Sequence, residues 1–222
     1  MRILITNDDG YQAKGINVLV EIMKQFGEVT VIAPKTHQSG MAMALSLGFK
    51  QIAHKDLGGG WHYLDATPAS CVKFGLNTVF ADNYPDVVVS GINHGSNASV
   101  ASCYSGTLGA AAEAALNGVP AIGVSLDSLD LNADFSGVEK YFGEVFSNIM
   151  KNYPQKHGVY YNVNFPDIPA DQIKGVRAGY QGVARWVREF REWDINFYKD
   201  INLTPEMLGQ SSNPTVEEGE EL

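Results

Sequence analysis

Long apolar runs are missing from this 222-residue sequence, and none approaches the roughly 20 residues needed to cross a bilayer. A membrane-spanning helix is therefore not expected. The first ten residues (MRILITNDDG) pass from an apolar stretch straight into a polar turn, without the longer apolar segment of a secretory signal, so a cytoplasmic location is expected. Cysteine is scarce: Cys71 and Cys103 lie far apart, form no metal-type spacing and read as reduced thiols. Basic charge is also in deficit, since 16 Lys and Arg against 25 Asp and Glu leave a net charge of −9. That balance argues against a nucleic-acid polymer as partner, because polyanion binding calls for a basic surface. A small phosphorylated ligand stays compatible if a metal and backbone amides meet its charge locally. Walker and GxGxxG loops are absent, as are a GxSxG elbow and an HxxxH-type pair. Triphosphate and dinucleotide fingerprints and a serine nucleophile thereby lose their support.

What is present is a globular composition, 45% hydrophobic and 18% charged. Apolar runs at Arg2–Thr6, Val29–Ala33, Val87–Val89, Ala121–Leu126 and Val159–Val163 read as strands. Helical patterns fall between them at Ile16–Phe26, Thr67–Phe80, Thr107–Leu116 and Phe135–Tyr153. Such alternation specifies an α/β fold, a Rossmann-like three-layer sandwich around a mostly parallel sheet. The segment Met41–Asp65, with glycine at 58, 59 and 60, suits an antiparallel excursion. Residues 1–222 read as one domain, in which 175–222 form a projecting β-hairpin or arm for oligomerisation and an acidic tail carrying Glu217, Glu218, Glu220 and Glu221.

Parallel sheets bind ligands outside the carboxyl ends of their strands. Four polar clusters follow strands or open a helix. Asn7-Asp8-Asp9-Gly10 sets two carboxylates side by side, which repel unless a cation sits between them. A hard divalent ion such as Mg2+ or Mn2+ suits them, although N-D-D-G is also ordinary turn chemistry. Gln38-Ser39-Gly40 offers a neutral hydroxyl ligand in Ser39, or a plain loop. In the stretch 90–97 (SGINHGSN), read as a loop, Asn93 can complete an oxygen shell and Asn97 can donate to a phosphate oxygen. His94 is the one histidine of five inside such a cluster. Tyr104-Ser105-Gly106-Thr107 opens an alanine-rich helix, where free amides and the dipole form an anion site or the hydroxyls simply cap.

The sequence resembles the SurE family, the stationary-phase survival proteins, which are nucleoside monophosphate phosphatases. The residues that carry the resemblance are ILITNDDG at 3–10, QSG at 38–40, TPASCVKFGL at 67–76, SGINHGSN at 90–97, YSGTLGAAAEA at 104–114, VNFP at 163–166 and KGVRAGYQG at 174–182. The resemblance implies one divalent cation per subunit, held by Asp8, Asp9, Ser39 and Asn93. It places the phosphate of a nucleoside monophosphate near Asn97, Ser105, Gly106 and Thr107, and implies a homodimer or homotetramer. Relative to the family pattern, Ser70 stands where aspartate is common and Ala98–Ser102 replaces a more acidic loop. The sequence also stops before a Gly-Tyr-Val-Ser-type strand and a final Thr-Pro-Leu.

The expected activity is metal-dependent hydrolysis of nucleoside 5′-monophosphates, extending to 3′-monophosphates and short polyphosphates. Asp8 and Asp9 anchor the cation, and Asp9 orients the attacking water. The alternative is a non-catalytic, metal-dependent nucleotide sensor. A phospho-aspartyl phosphatase is disfavoured because no Asp-x-Asp spacing occurs here.

Overall fold

A computed structural model describes residues 1–46, 51–130, 132–184, 190–194 and 197–200. The chain begins with β1 (Arg2–Thr6), α1 (Lys14–Met23) and β2 (Glu28–Pro34). A hairpin of β3 (His54–Gly58) and β4 (Trp61–Leu64) follows, then α2 (Pro68–Asn77) and β5 (Val87–His94). After these come α3 (Gly106–Leu116), β6 (Ala121–Asp127), α4 (Ser136–Lys151) and β7 (Tyr161–Pro166). The seven strands form one sheet in the order β3-β4-β2-β1-β5-β6-β7, parallel throughout except for β3 against β4. From β1 the chain first builds toward β2, and later returns to add β5 on the other side. That reversal leaves a crevice at the carboxyl ends of β1 and β5, where open α/β sheets hold ligands.

Alternation along β1 distributes its apolar residues to two faces. Ile3 and Ile5 pack with Ile16 and Leu19 of α1 and Phe142 and Phe146 of α4. Leu4 packs on the opposite face with Val72 and Leu76 of α2 and Ala110 and Ala114 of α3. Spacing at Ile16, Leu19, Val20 and Met23 gives α1 its buried stripe. Thr67 caps α2 by accepting from the Ser70 amide, and Pro68 occupies the first turn, where no amide hydrogen is needed. The alanines of α3 allow that helix to lie close to the sheet.

Most expected elements stand within about three residues of their places, as boundaries set by fraying ends generally do. One expectation needs correction. Residues 90–94 are not a loop: β5 continues to His94, with Ser90, Gly91 and Ile92 buried. Polar composition suggested a loop, but the strand accommodates it through an irregularity between Ser90 and Asn93 in the pairing with β6. Gly91 sits there at φ +142°, where an added Cβ would lie 2.3 Å from the Val124 carbonyl oxygen. The antiparallel excursion expected in Met41–Asp65 is present as the hairpin of β3 and β4. Only β3 and β4 are antiparallel, and β4 pairs parallel with β2 from Val31↔Trp61 to Pro34↔Leu64, so the hairpin extends the main sheet.

A separate antiparallel pair, β8 (Phe190–Asp194) and β9 (Phe197–Asp200), supplies the hairpin expected in the last quarter. The acidic tail lies outside the described residues. Among those residues, no helix is long and apolar enough to cross a membrane.

Phe142, fully buried between Phe146 and Phe165, ties α4 to the sheet. Phe142→Ala is expected to cost about 3–5 kcal/mol, read as a lower urea midpoint at unchanged slope.

Candidate functional site

Asn7 closes the turn after β1 by donating from Nδ2 to the Gly10 carbonyl at 2.9 Å, so the residue does serve the turn. Its effect is to hold two carboxylates at the strand end. Asp8 is buried, and its Oδ1 accepts from the Thr107 hydroxyl at 2.5 Å. Asp9 Oδ2 accepts from the His94 backbone amide at 3.3 Å, and its Oδ1 lies 3.3 Å from His37 Nδ1. Burial, followed by the neighbouring Asp9 charge, pushes the Asp8 carboxyl up to about 6, against the pull of Thr107 and His37. His37 is raised from its ordinary value, chiefly by its hydrogen bond with Asp9.

The loop after β2 is fastened to this turn, for the Gln38 amide donates to the Asp8 carbonyl at 2.7 Å. Ser39 follows directly and is exposed. Asn93 is buried near the end of β5 and donates from Nδ2 to the Gly95 carbonyl at 2.7 Å, which leaves its amide oxygen as the atom to offer a ligand. Ser105 caps α3, accepting from the Leu108 amide at 3.1 Å. Gly106 is the point of closest approach. A Cβ there would lie 2.9 Å from Asp8 Cβ and 3.2 Å from the Gln38 carbonyl oxygen. Only glycine lets the helix start meet the carboxylate and the β2 loop together.

Direct contacts thus unite Asp8, Gly106, Thr107 and the residue before Ser39, while Asp9 meets the residue after Asn93. Asn97 is anchored toward β6 instead: its Nδ2 donates to Ser125 Oγ at 2.8 Å, which commits one of its two amide hydrogens. Sequence reasoning missed His37, since a single histidine carries no spacing signal. It also missed Thr107 as the support of Asp8. The ring of His94 rests edge-on against Phe135, leaving its backbone as the part that serves Asp9.

Several observations bear on whether these residues suit a metal ion. Among the described residues, buried side-chain polar atoms without a partner are Thr6 Oγ1, Asn7 Oδ1, Ser90 Oγ and His94 Nδ1. All four lie on β1 and β5 or directly after β1, and Thr6 and Ser90 stand opposite one another. Unpaired buried polar atoms are costly and ask for an explanation. A buried carboxylate held beside a second one asks for a cation. No group of three or more His, Cys, Asp and Glu among the described residues is arranged for a metal. The set is instead two carboxylates with hydroxyl and amide oxygens, which fits a hard, oxygen-seeking ion such as Mg2+ or Mn2+ better than zinc. Two surface hollows, near Arg2 and Glu28 and near Gly118 and Tyr153, lie at the other end of the sheet and contain none of these groups.

The family model described as survival protein SurE matches residues 3–188. The 5′-nucleotidase SurE of Cytophaga hutchinsonii is 44% identical over 193 residues, covering 86% of this chain and 74% of that protein. The 5′-nucleotidase SurE of Flavobacterium johnsoniae is 39% identical over 221 residues, covering 97% of this chain and 85% of that one. The crystal structure of the SurE protein from Aquifex aeolicus superimposes with a TM-score of 0.79 at 30% identity, over 90% of this chain and 81% of that one.

The raised Asp8 carboxyl makes stability depend on pH. Between about 4 and about 6 the folded chain binds more protons than the unfolded chain, so cation-free protein loses stability as pH rises through that window. The loss from this group is roughly 3 kcal/mol. Asp8→Asn is expected to flatten that slope and to leave cation-free protein at pH 7.5 as stable as wild type or more so. Urea unfolding in chelator at pH 5 and 7.5 checks both.

Proposed function

The chain belongs to the SurE family, and on that premise we propose that it is a metal-dependent 5′-nucleotidase. It hydrolyses nucleoside 5′-monophosphates to nucleoside and phosphate, with 3′-monophosphates and short polyphosphates as further substrates. The observation that carries the reading is the buried Asp8 beside Asp9 at the point where strand order reverses. Asp8, Asp9, Ser39 and Asn93 would hold one Mg2+ or Mn2+ per subunit. When bound, such an ion supplies Lewis acidity toward a phosphoryl oxygen and lowers the pKa of a coordinated water.

The protein's own groups divide the remaining work. Thr107 fixes the Asp8 carboxylate through its hydroxyl, and Gly106 keeps space for the α3 start against it. The free amides of that helix start, with the second amide hydrogen of Asn97, face charge on the phosphoryl oxygens. Ser105 pre-shapes the helix start through its cap. Asp9, oriented by the His94 amide, directs the attacking water, and His37 Nδ1 shares a proton with Asp9 Oδ1. With a net charge of −9, substrate charge is met locally, by such donors together with the cation.

The relatives' names describe an enzyme, and nothing observed favours a non-catalytic sensor. Exposed Val176, Tyr180 and Val183 support self-association as a homodimer or homotetramer through the 175–222 segment. The proposal places the enzyme in the cytoplasm.

Phosphate release from a panel of 5′- and 3′-nucleotides and tripolyphosphate, with Mg2+, with Mn2+ and with chelator, tests the reading. Activity is expected only with a cation, and Asp9→Ala is expected to lower it by about a hundredfold or more. Release that persists in chelator would overturn the metal-dependent mechanism.

A further inference from the structure

Asn97 is held on three of its polar groups by the two strands beyond β5. Its backbone amide donates to Asn164 Oδ1 at 2.8 Å, and its carbonyl accepts from Asn162 Nδ2 at 2.9 Å. Its side-chain Nδ2 donates to Ser125 Oγ at 2.8 Å. Asn164 Nδ2 in turn donates to Asn162 Oδ1 at 2.9 Å, so the two amides of β7 lock one another. Asn164 Oδ1 also accepts from the Ser96 hydroxyl at 3.5 Å.

Sheet register explains how this clamp arises. Asn162 and Asn164 lie two residues apart on β7, hence on one face, opposite Gly123 and Ser125 of β6. Ser125 also stands opposite Asn93 of β5. One β6 residue therefore lies beside the strand of a proposed cation ligand while gripping the side chain of a proposed phosphate donor. Both β7 asparagines are exposed on an edge strand, where water could serve their amides equally well. Their hydrogen-bonding capacity is spent instead on fixing the backbone of Asn97 from both sides.

We propose that Asn164, seconded by Asn162, is a positioning residue for the hydrolysis, setting the second amide hydrogen of Asn97 toward the phosphoryl group. The inference rests on the phosphatase reading above. Misplacing a donor by a fraction of an ångström lowers turnover without removing the cation or unfolding the sheet.

The test uses the full chain with Mn2+ and AMP, comparing wild type with Asn164→Ala, Asn164→Asp and Asn162→Ala. Asn164→Ala is expected to lower kcat by about tenfold or more, while KM and the Mn2+-induced rise in unfolding temperature stay close to wild type. Asn164→Asp retains an acceptor oxygen for the Asn97 amide but loses the donor to Asn162 Oδ1, and should recover part of the loss. Asn162→Ala should show a smaller drop of the same kind, and decides the matter should Asn164→Ala not fold. Unchanged kcat in Asn164→Ala, or a lower kcat with no recovery in Asn164→Asp, overturns the positioning role alone. A wild-type chain that releases no phosphate overturns the phosphatase reading and this inference with it.

Discussion

Repulsion between two adjacent carboxylates, one of them buried, is the constraint around which this structure is arranged. Asp8 sits at the end of the central strand with no room to turn toward water, and Asp9 follows at once. Without a counter-charge the ionised state is costly, and Asp8 is pushed toward protonation. The surroundings offset only part of the cost. Thr107 donates to one oxygen, the Gln38 amide holds the backbone, and His37 leans on Asp9 from the solvent side. What remains is a demand for positive charge, which a divalent ion would meet directly.

Close approach is the second theme. Gly106 lets α3 touch Asp8, and Gly91 lets β5 lie against the Val124 carbonyl. A Cβ at either position would meet backbone or carboxylate atoms, so these glycines set how near the helix start, the β2 loop and the end of β5 come to one another. Unpaired buried atoms at Thr6, Asn7 and Ser90 lie in that same region. A site that binds a charged group commonly keeps such locally unfavourable features, and the rest of the fold supports them. Here the support is two apolar layers, one under α1 and α4 and the other under α2 and α3.

Membership of the SurE family agrees with the ordering of these parts, and the match covers the chain from Ile3 to Arg188 in sequence. The carboxylate pair, the β2 loop, the end of β5 and the α3 start all fall within it. The amide clamp of β7 does too, although no single residue there looks chemically unusual in isolation.

Much of the fold was legible in the sequence because its signals are local. Apolar runs ending in Pro34 or at Asn7, helical spacing from Ile16 to Met23, and Thr67-Pro68 at a helix start each act through a few neighbouring residues. The sequence by itself determined the parallel α/β class and the adjacency of Asp8 and Asp9. It also showed that Ser39, Asn93 and the Ser105–Thr107 segment stand at or near strand ends and a helix start. It misread Ser90–His94 as a loop, because polar composition outweighs strand propensity until the pairing with β6 is known. Only the tertiary structure decided that Thr107 supports Asp8 across 99 positions, that His37 meets Asp9, and that Asn164 holds Asn97. These are contacts between strand ends and loops far apart in the chain. Sheet order and register bring them together, and no periodicity in a single segment records either.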